Sequence, residues 1–509
     1  MSETATAKHE HDPAATVQSA PVGEAYWDIV WRQFKKKKES YYALWAMVPL
    51  FLLAIFAPAI ASNQPFIFFD DGKVLFPWFR SLFHSQQPVD FLYNMALLGF
   101  IPWMILAVAM NFIMKSRGAP GRRRVSIIAA QFVAITLGLC ILFLALGIQR
   151  IDPEQRVDFF FKMVLIGLIP WVISAGVTDF ILKRLDFSGV RRVMIAAGQF
   201  VVITGVLCAV FMLLGIQGIN LAPTNRYAQR TFVEEQFESK GQRYGYYPLI
   251  NFGPNEIDTP SKFKPPGYSK AEEKAGKANW KDINDGNTHW LGTDDSGRDI
   301  LVRLIYGTRI SMSVGFVAVG LYVTIGIVIG AIAGFFGGTT DMLISRIIEI
   351  VMLFPSFFLI LTLVALIGPS IWVIMVVIGL TGWPRIARLI RGEVLKQRRL
   401  EYVEAAKALG VSNWRIVFLH VLPNSLAPAM VAAPFGVAAA IVTEAGLSLL
   451  GFGVRPPTPS WGGVLQLASS QYQYSWLIVA PAIAMFVTLT TFNLVGSGMR
   501  DAMDPRLRI

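Results

Sequence analysis

The chain has 509 residues, of which 54% are hydrophobic and only 16% are charged. Soluble globular domains carry about a quarter of charged residues, so this composition excludes a soluble enzyme or binding module and predicts an integral membrane protein. The net charge of +12 does not indicate a nucleic-acid partner, because the basic residues lie in short runs beside apolar segments and mark membrane topology instead.

The N-terminal residues 1–26 are polar and small, and no apolar core of a signal peptide follows them directly. We therefore predict a disordered cytoplasmic tail and no cleaved leader. A membrane-spanning helix needs about 20 mostly apolar residues, and ten such runs predict an all-α polytopic membrane protein with about ten transmembrane helices. The predicted spans are 44–61, 92–114, 125–148, 159–182, 193–216, 310–336, 343–367, 370–390, 426–453 and 475–498.

Four basic clusters set the predicted topology. They occupy residues 31–40, 115–124, 183–192 and 385–399, whereas the intervening loops are neutral or acidic. Positively charged loops are retained in the cytoplasm, and all four clusters fall on one side of a ten-span chain. The N- and C-termini are therefore expected in the cytoplasm.

An internal duplication follows the first span. Residues 87–149 and 155–217 align without a gap, and about half of their positions are identical. Each copy predicts a two-helix membrane hairpin with a basic cytoplasmic turn. Cys140 and Cys208 are one cysteine copied, so they imply no disulfide framework. Two interpretations stay open: an appendage whose apolar residues face lipid or pack together, and a surface that contacts a partner subunit or lines an accessory path.

Residues 218–305 predict an irregular domain on the extracytoplasmic face, rich in Pro, Gly and aromatic residues. Tyr and Trp residues in such a region are typical of an irregular loop that packs on itself and also of a docking surface for another protein. Within it, "GTDDSGRD" (292–299) has the glycine spacing of a phosphate-binding loop, but Arg298 and Asp299 replace the required Lys and Ser/Thr. We therefore exclude nucleotide binding there. We expect no catalytic residue, metal or cofactor in this chain.

The segment "EYVEAAKALGVSNWRIVFLHVLPN" (401–424) is polar although it lies between two apolar runs. Its periodicity predicts a short helix that ends at Gly410, where a left-handed C-cap costs little. Ser412 or Asn413 then caps a second helix, from Trp414 to about residue 421, and Pro423 ends it. The first helix has two predicted faces, one with Tyr402, Ala405, Ala406 and Leu409 and the other with Glu401, Glu404, Lys407 and Ala408. An interfacial helix on lipid needs a basic polar face and a bulky apolar face, which this Ala-rich, Glu-bearing helix lacks.

Several motifs now resemble one family. Glu404-Ala405-Ala406, Gly410 and Leu422-Pro423 resemble the EAA signature of permease subunits of bacterial ABC importers, although His420 stands where that pattern has Ile. Three further stretches resemble the C-type permease of dipeptide and oligopeptide importers. They are "WLGTDDSGRDILVRLIYGTRISMSVG", "AGFFGGTTDMLISRIIEIVMLFPSFFL" and "TEAGLSLLGFGVRPPTPSWGGVL". Residues 27–83 look like the Yej-type branch, which is associated with microcin C and peptide uptake.

The resemblance implies six spans in a MetI-like permease fold, with the duplicated hairpins as an insertion. It implies a bacterial inner-membrane subunit that moves peptides or peptide-like solutes. Its partners would be an ABC ATPase that binds ATP and Mg²⁺, a second permease that is a different chain, and an extracytoplasmic solute-binding protein. The residues implied in ATPase coupling are Glu404, Ala405, Ala406, Gly410, Leu422 and Pro423.

Glu444 is an ionisable residue inside a predicted span, and such residues are functional candidates by default. A place on the translocation path or gate and a helix-to-helix hydrogen bond remain alternatives for it. An ion-coupled secondary transporter is the competing function, and it is disfavoured because few ionisable residues lie inside the spans. A third alternative makes the hairpins a sensor or scaffold. The predicted domains are a tail (1–26), a first span with flanking segments (27–86), duplicated hairpins (87–217), an extracytoplasmic loop domain (218–305) and a permease core (306–509) with its coupling segment (399–424).

Overall fold

The computed structural model describes residues 26–70, 73–82, 87–116, 121–146, 243–269 and 288–504, together with positions 178, 195, 198 and 199. The described chain is mostly α-helical, which confirms the predicted fold class. The helices are α1 (Tyr26–Lys36), α2 (Lys38–Ile60), α3 (Pro77–Ser81), α4 (Pro88–Ser116), α5 (Gly121–Leu146), α6 (Ile300–Phe336), α7 (Gly338–Leu353), α8 (Ser356–Ile367), α9 (Ile371–Gln397), α10 (Glu401–Ala408), α11 (Asn413–Arg415), α12 (Leu422–Ser425), α13 (Ala427–Leu449), α14 (Trp461–Ser470) and α15 (Ser475–Met503).

Five helices of the described chain, α2, α6, α9, α13 and α15, are long and apolar enough to cross a membrane. Two bent helix pairs, one within α4 and one formed by α7 and α8, raise the number to seven if each pair is one span. The predicted count of ten is not confirmed. Predicted spans 159–182 and 193–216 lie outside the described residues except at four positions. Helix α5 covers most of the predicted span 125–148, but its apolar part, Arg124–Leu139, is shorter than a membrane span.

Helix α6 begins ten residues before the predicted start of its span. Asp299 is its N-cap, and the carboxylate accepts a hydrogen bond of 2.8 Å from the backbone N–H of Val302. The helix has 37 residues, so it is about 55 Å long and exceeds the hydrocarbon thickness of about 30 Å. It therefore projects beyond the hydrocarbon layer. The first ten residues of α6 precede the predicted apolar span, so a search for apolar runs could not find where the helix starts.

The predicted single span 343–367 is two helices, α7 and α8, bent by 81°. Pro355 lies at the break and Phe354 before it is extended, with φ −79° and ψ 130°. A proline removes a helical hydrogen bond and disfavours helical backbone in the residue before it. The break therefore falls at Phe354-Pro355.

The core of the molecule is the packing of α6 against α9. Three glycines four residues apart, Gly326, Gly330 and Gly334, face α9 and allow the two backbones to approach closely. A Cβ built on Gly330 would lie 2.5 Å from the carbonyl oxygen of Ala387. Small residues at this spacing are the usual device for close helix packing in membranes. The largest cluster of buried apolar side chains extends from this contact to α13, α14 and α15.

The first duplicated hairpin, α4 and α5, is attached to the core by polar contacts. Arg309 of α6 is fully buried, and its Nη1 donates to Oδ1 of Asn94 on α4 over 3.0 Å. The two copies also meet. Gln131 of the first copy donates to the hydroxyl of Thr178 over 3.2 Å, and Gln199, its equivalent in the second copy, donates to the same hydroxyl over 2.9 Å.

The predicted irregular domain contributes three strands to two small antiparallel sheets, and the other two strands precede the hairpins in the chain. One has the order β2-β1-β3 and the other pairs β4 with β5. The central strand β1 belongs to the segment after α2, so the sheet joins two parts of the chain that the duplicated hairpins separate. The strands are β1 (Ile67–Asp70), β2 (Lys73–Leu75), β3 (Arg243–Tyr246), β4 (Tyr268–Ser269) and β5 (Thr288–His289).

Residues 292–299 form a tight turn whose polar groups bind one another. The carboxylate of Asp294 accepts hydrogen bonds of 2.9 Å from the backbone N–H groups of Ser296 and Arg298, and one of 2.7 Å from Nε of Arg298. Gly297 has a φ of 74°, and a Cβ there would overlap the carbonyl oxygen of Asp258. The backbone amides that a phosphate would need are occupied by this aspartate.

Candidate functional site

The segment 401–424 begins with the helix α10, as predicted. Gly410 has a φ of 74°, and its N–H donates to the carbonyl oxygen of Lys407 over 2.9 Å. The N–H of Val411 donates to the carbonyl oxygen of Ala406 over 3.1 Å. These two bonds define a Schellman C-cap, so the glycine turn predicted from the sequence is present.

The face by which α10 packs differs from the apolar face predicted from its periodicity. Val403 is fully buried and Ala406 is half-buried, whereas Leu409 is 83% exposed and Tyr402 is exposed. Glu404 and Ala405 are also exposed. Packing among the described residues does not account for an apolar face that is exposed beside a carboxylate.

The second helix of the segment is irregular. Asn413–Arg415 is α-helical, Ile416–Val421 is a π-helix and Leu422–Ser425 is α-helical again. The prediction that Pro423 ends the helix is wrong, because Pro423 lies in the first turn of α12. A first-turn proline removes an N–H group that has no helical partner there. Leu422 is half-buried and Pro423 is exposed.

The end of α9, from which the segment continues, is held against the end of α6 and the start of α7 by a group of contacts that we call the clamp. It consists of Arg391 and Arg398 near the end of α9, Phe335 at the end of α6, and Asp341 in the first turn of α7. Both Nε and Nη2 of Arg391 donate to the carboxylate of Asp341, the latter over 2.7 Å. Nη1 of Arg398 donates to the carbonyl oxygen of Phe335 over 2.8 Å.

Aromatic and cationic contacts extend the clamp to the segment itself. Nζ of Lys407 lies 5.5 Å from the ring centroid of Phe335, within the range of a cation–π interaction. The rings of Trp414 and Phe336 meet edge to face with centroids 5.5 Å apart. Both helices of the segment therefore contact the last turn of α6.

A cavity of about 1580 Å³ lies beside this segment. Its walls come from α6 to α9, α13 and α15, and aromatic residues such as Phe357, Phe358 and Phe435 line much of it. The cavity reaches Asn424, the last residue of the segment. The charged and amide side chains in its wall are Arg385, Glu393, Lys396, Gln397, Asn424, Arg500 and Asp504.

Glu444 does not line this cavity. It is fully buried, and its Oε1 accepts a hydrogen bond of 2.8 Å from the hydroxyl of Ser448 one turn later. Ser311 of α6 and Ser460 before α14 lie near the same carboxyl group. Its position between three helices fits the predicted helix-to-helix hydrogen bond, and its role on the path or gate stays a prediction.

Sequence reasoning missed the clamp. It interpreted the arginines of α9 only as markers of topology, because their partners are far away in the sequence. Arg391 and Arg398 are seven residues apart, which puts them on the same side of a helix. This spacing was the signal in the sequence that both arginines could bind neighbouring elements on one side of α9. Among the residues that the structure describes, no group of three or more His, Cys, Asp or Glu side chains could hold a metal ion.

Two family models match the chain. Residues 326–509, which carry the segment and most of the cavity wall, match the binding-protein-dependent transport system inner membrane component. Residues 25–77 match the N-terminal TM domain of oligopeptide transport permease C.

Individual relatives agree with these matches. The dipeptide transport system permease protein DppC of Alkalihalophilus pseudofirmus is 43% identical over 221 residues, which are 43% of this chain and 73% of the relative. The oligopeptide transport system permease protein OppC of Haemophilus influenzae is 43% identical over 221 residues, 43% of this chain and 71% of the relative. The peptidoglycan transport system permease protein YejE of Agrobacterium fabrum is 39% identical over 221 residues, 43% of this chain and 58% of the relative.

Members of this family are membrane subunits without catalytic activity, and a separate subunit of the ABC transport system hydrolyses ATP. The chain belongs to the binding-protein-dependent transport system inner membrane components, the permease subunits of ABC transporters.

Proposed function

We propose that this permease imports peptides or peptide-like solutes and that the segment 401–424 is its docking element for the ATPase. The relatives DppC and OppC are dipeptide and oligopeptide permeases by name. The observation that carries the proposal is the position of the exposed helix α10 next to the charged part of the cavity wall. ATP-driven transport requires that movement at the docking element reaches the solute path, and the two adjoin each other here.

The docking surface consists of Glu404, Ala405 and Leu409 on α10, with Gly410 setting the turn. Leu409 and Glu404 are exposed, and Ala405 leaves room for another backbone to approach closely. Interfaces combine apolar anchors with charges that orient the partner. Leu422 and Pro423 fix the end of the segment. ATP and Mg²⁺ bind to the partner ATPase.

The cavity suits a solute larger than a single amino acid. Its volume of about 1580 Å³ exceeds the range of roughly 300–1,000 Å³ that encloses drug-sized ligands. Apolar and aromatic walls accept varied side chains, whereas the charged groups can bind the termini of a peptide. A second permease, which is a different chain, closes the open side of the cavity, and an extracytoplasmic binding protein delivers the solute.

The chain lies in the bacterial inner membrane with both termini in the cytoplasm. The start of α2 and the end of α15 lie close together, which supports placing both termini on the same side of the membrane. Nζ of Lys37, just before α2, lies 2.7 Å from Oδ2 of Asp501 in the last turn of α15. Arg500 of the same turn lines the cavity together with Lys396 at the end of α9. These ends are therefore near the docking segment, which faces the ATPase.

The test is uptake by the complete complex in proteoliposomes with ATP inside. We expect the double variant Glu404→Lys with Gly410→Pro to lose ATP-driven uptake of labelled trialanine and to release the ATPase during purification. The control Glu39→Lys reverses an exposed carboxylate outside the segment and should leave both unchanged. Normal uptake by the double variant would contradict the docking role, and a wild-type complex that imports no di- or tripeptide would contradict the proposed solute.

A further inference from the structure

Helix α7 connects two parts of the molecule that the proposed function requires to move together. Its first turn carries Asp341, which belongs to the clamp beside the docking segment. Its last turn carries Val351 and Met352, which line the cavity, and Phe354 and Pro355 continue the cavity wall. Asp341 and Met352 are eleven residues apart, which corresponds to about 16 Å along the helix.

The near end of α7 is bound through two parallel N–H···O contacts. Arg391 and Asp341 form a bidentate pair whose side chains are 31% and 19% exposed, so water screens them only in part. The planar guanidinium fixes the direction of the carboxylate as well as its distance. Such a pair can transmit a rotation, which a single point contact cannot do.

The same end of α9 is bound to α6. Arg398 donates to the carbonyl oxygen of Phe335, and the negative end of the helix dipole of α6 favours the cation there. A Cβ on Gly337, which has a φ of 67°, would lie 2.6 Å from Nη1 of Arg398. Only three residues separate α9 from α10. The docking segment, the end of α9 and the start of α7 therefore form one connected unit.

The rest of α7 has few attachments. Ile348 is its one buried residue, and most of its other side chains are exposed. At its far end, the break at Pro355 separates it from α8 with a bend of 81°. A helix that is held firmly at one end and weakly elsewhere, and that ends in a break, can change its angle without unpacking the core.

We propose that the pair Asp341–Arg391 is a positioning contact that transmits movement of the docking segment through α7 to the wall of the cavity. This inference rests on the proposed function, because it needs the ATPase to dock at α10. Neither residue lines the cavity or the exposed docking face. The pair therefore acts on transport through the position of α7 and not by contact with the solute or with ATP.

The experiment measures the number of ATP molecules hydrolysed per solute imported by the complete reconstituted complex. We expect Asp341→Asn and Arg391→Gln each to raise this ratio on the order of fivefold or more, the lower end of typical coupling between two sites. The double variant Asp341→Arg with Arg391→Asp restores the pair with exchanged charges and should return the ratio to within about twofold of wild type. The matched control is Glu349→Gln, which breaks the exposed pair Arg346–Glu349 on the same helix and should leave the ratio unchanged.

An unchanged ratio in both single variants would overturn the inference. An equal rise in Glu349→Gln, or failure of the exchanged pair to restore the ratio, would overturn it as well. Loss of assembly in both single variants that the exchange does not repair also overturns it, because the pair would then serve folding alone. A wild-type complex that lacks an ATPase would contradict the proposed function itself, whereas normal assembly with an unchanged ratio would contradict only the role of the pair.

Discussion

Gly330 offers the sharpest test of the contact between α6 and α9. In Gly330→Ala the new methyl group would lie 2.5 Å from the carbonyl oxygen of Ala387 and 3.0 Å from its Cα. Backbone atoms cannot turn away as a flexible side chain can, so the helices must separate. Overpacking of this kind costs about 1–3 kcal/mol, and the better helix propensity of Ala offsets about 1 kcal/mol. We expect a net loss of up to about 2 kcal/mol in the free energy of unfolding.

The matched control for this prediction is Gly320→Ala in the same helix, where no atom lies within 4 Å of the new methyl group. It should gain up to about 1 kcal/mol, so the two variants should differ by about 1–3 kcal/mol. Equilibrium unfolding of the purified protein in mixed detergent micelles measures this difference. Equal stabilities of Gly330→Ala and Gly320→Ala would refute the close approach of the two helices.

Three further predictions concern the attachment of the hairpin, the start of α6 and the docking segment. Arg309→Met should destabilise the protein by about 3 kcal/mol in the same unfolding assay, because it removes the buried partner of Asn94 and Asp90. A loss below about 1 kcal/mol would contradict the attachment of the hairpin to the core. Asp299→Ala should cost about 2–4 kcal/mol, because it removes both the N-cap of α6 and the buried carboxylate that lies 2.8 Å from Nδ1 of His289. It should also speed proteolysis of residues 288–299, and an unchanged cleavage rate would contradict a role of Asp299 in holding them. Gly410→Ala should strain the left-handed turn by about 1–2 kcal/mol and weaken recovery of the ATPase on purification, and wild-type recovery would count against the turn as a docking feature.

Apolar runs in the sequence were sufficient to locate α2, α13 and α15, because burial in lipid needs a continuous apolar surface of fixed length. The turn at Gly410 could also be predicted from the sequence, because the need for a glycine depends only on the backbone conformation at that residue. The break at Pro355 was not local. Pro384 and Pro434 lie inside α9 and α13 without ending them, so a proline alone does not decide whether a helix continues.

The clamp shows a second limit of sequence reasoning. Arg391 and Asp341 are 50 residues apart, and nothing near either residue indicates the other. The packing face of α10 was also mispredicted. Val403 is buried beside the neighbouring π-helix, and the periodicity of eight residues does not contain that information. Both features depend on how helices pack against each other in the folded protein, and a short stretch of sequence does not contain this information.

The central claim is that α10 docks an ATPase, and the most direct measurement is cross-linking from a single cysteine at Ala405 in the active complex. Cys140 and Cys208 are first replaced by Ala, and a control cysteine is placed at Gly392, which is exposed on α9. We expect a thiol-to-amine cross-linker of short length to join Ala405→Cys to the ATPase and to leave Gly392→Cys unlinked. Cross-linking of equal yield at both positions, or none at Ala405→Cys in a complex that still imports solute, would contradict the docking role of this segment.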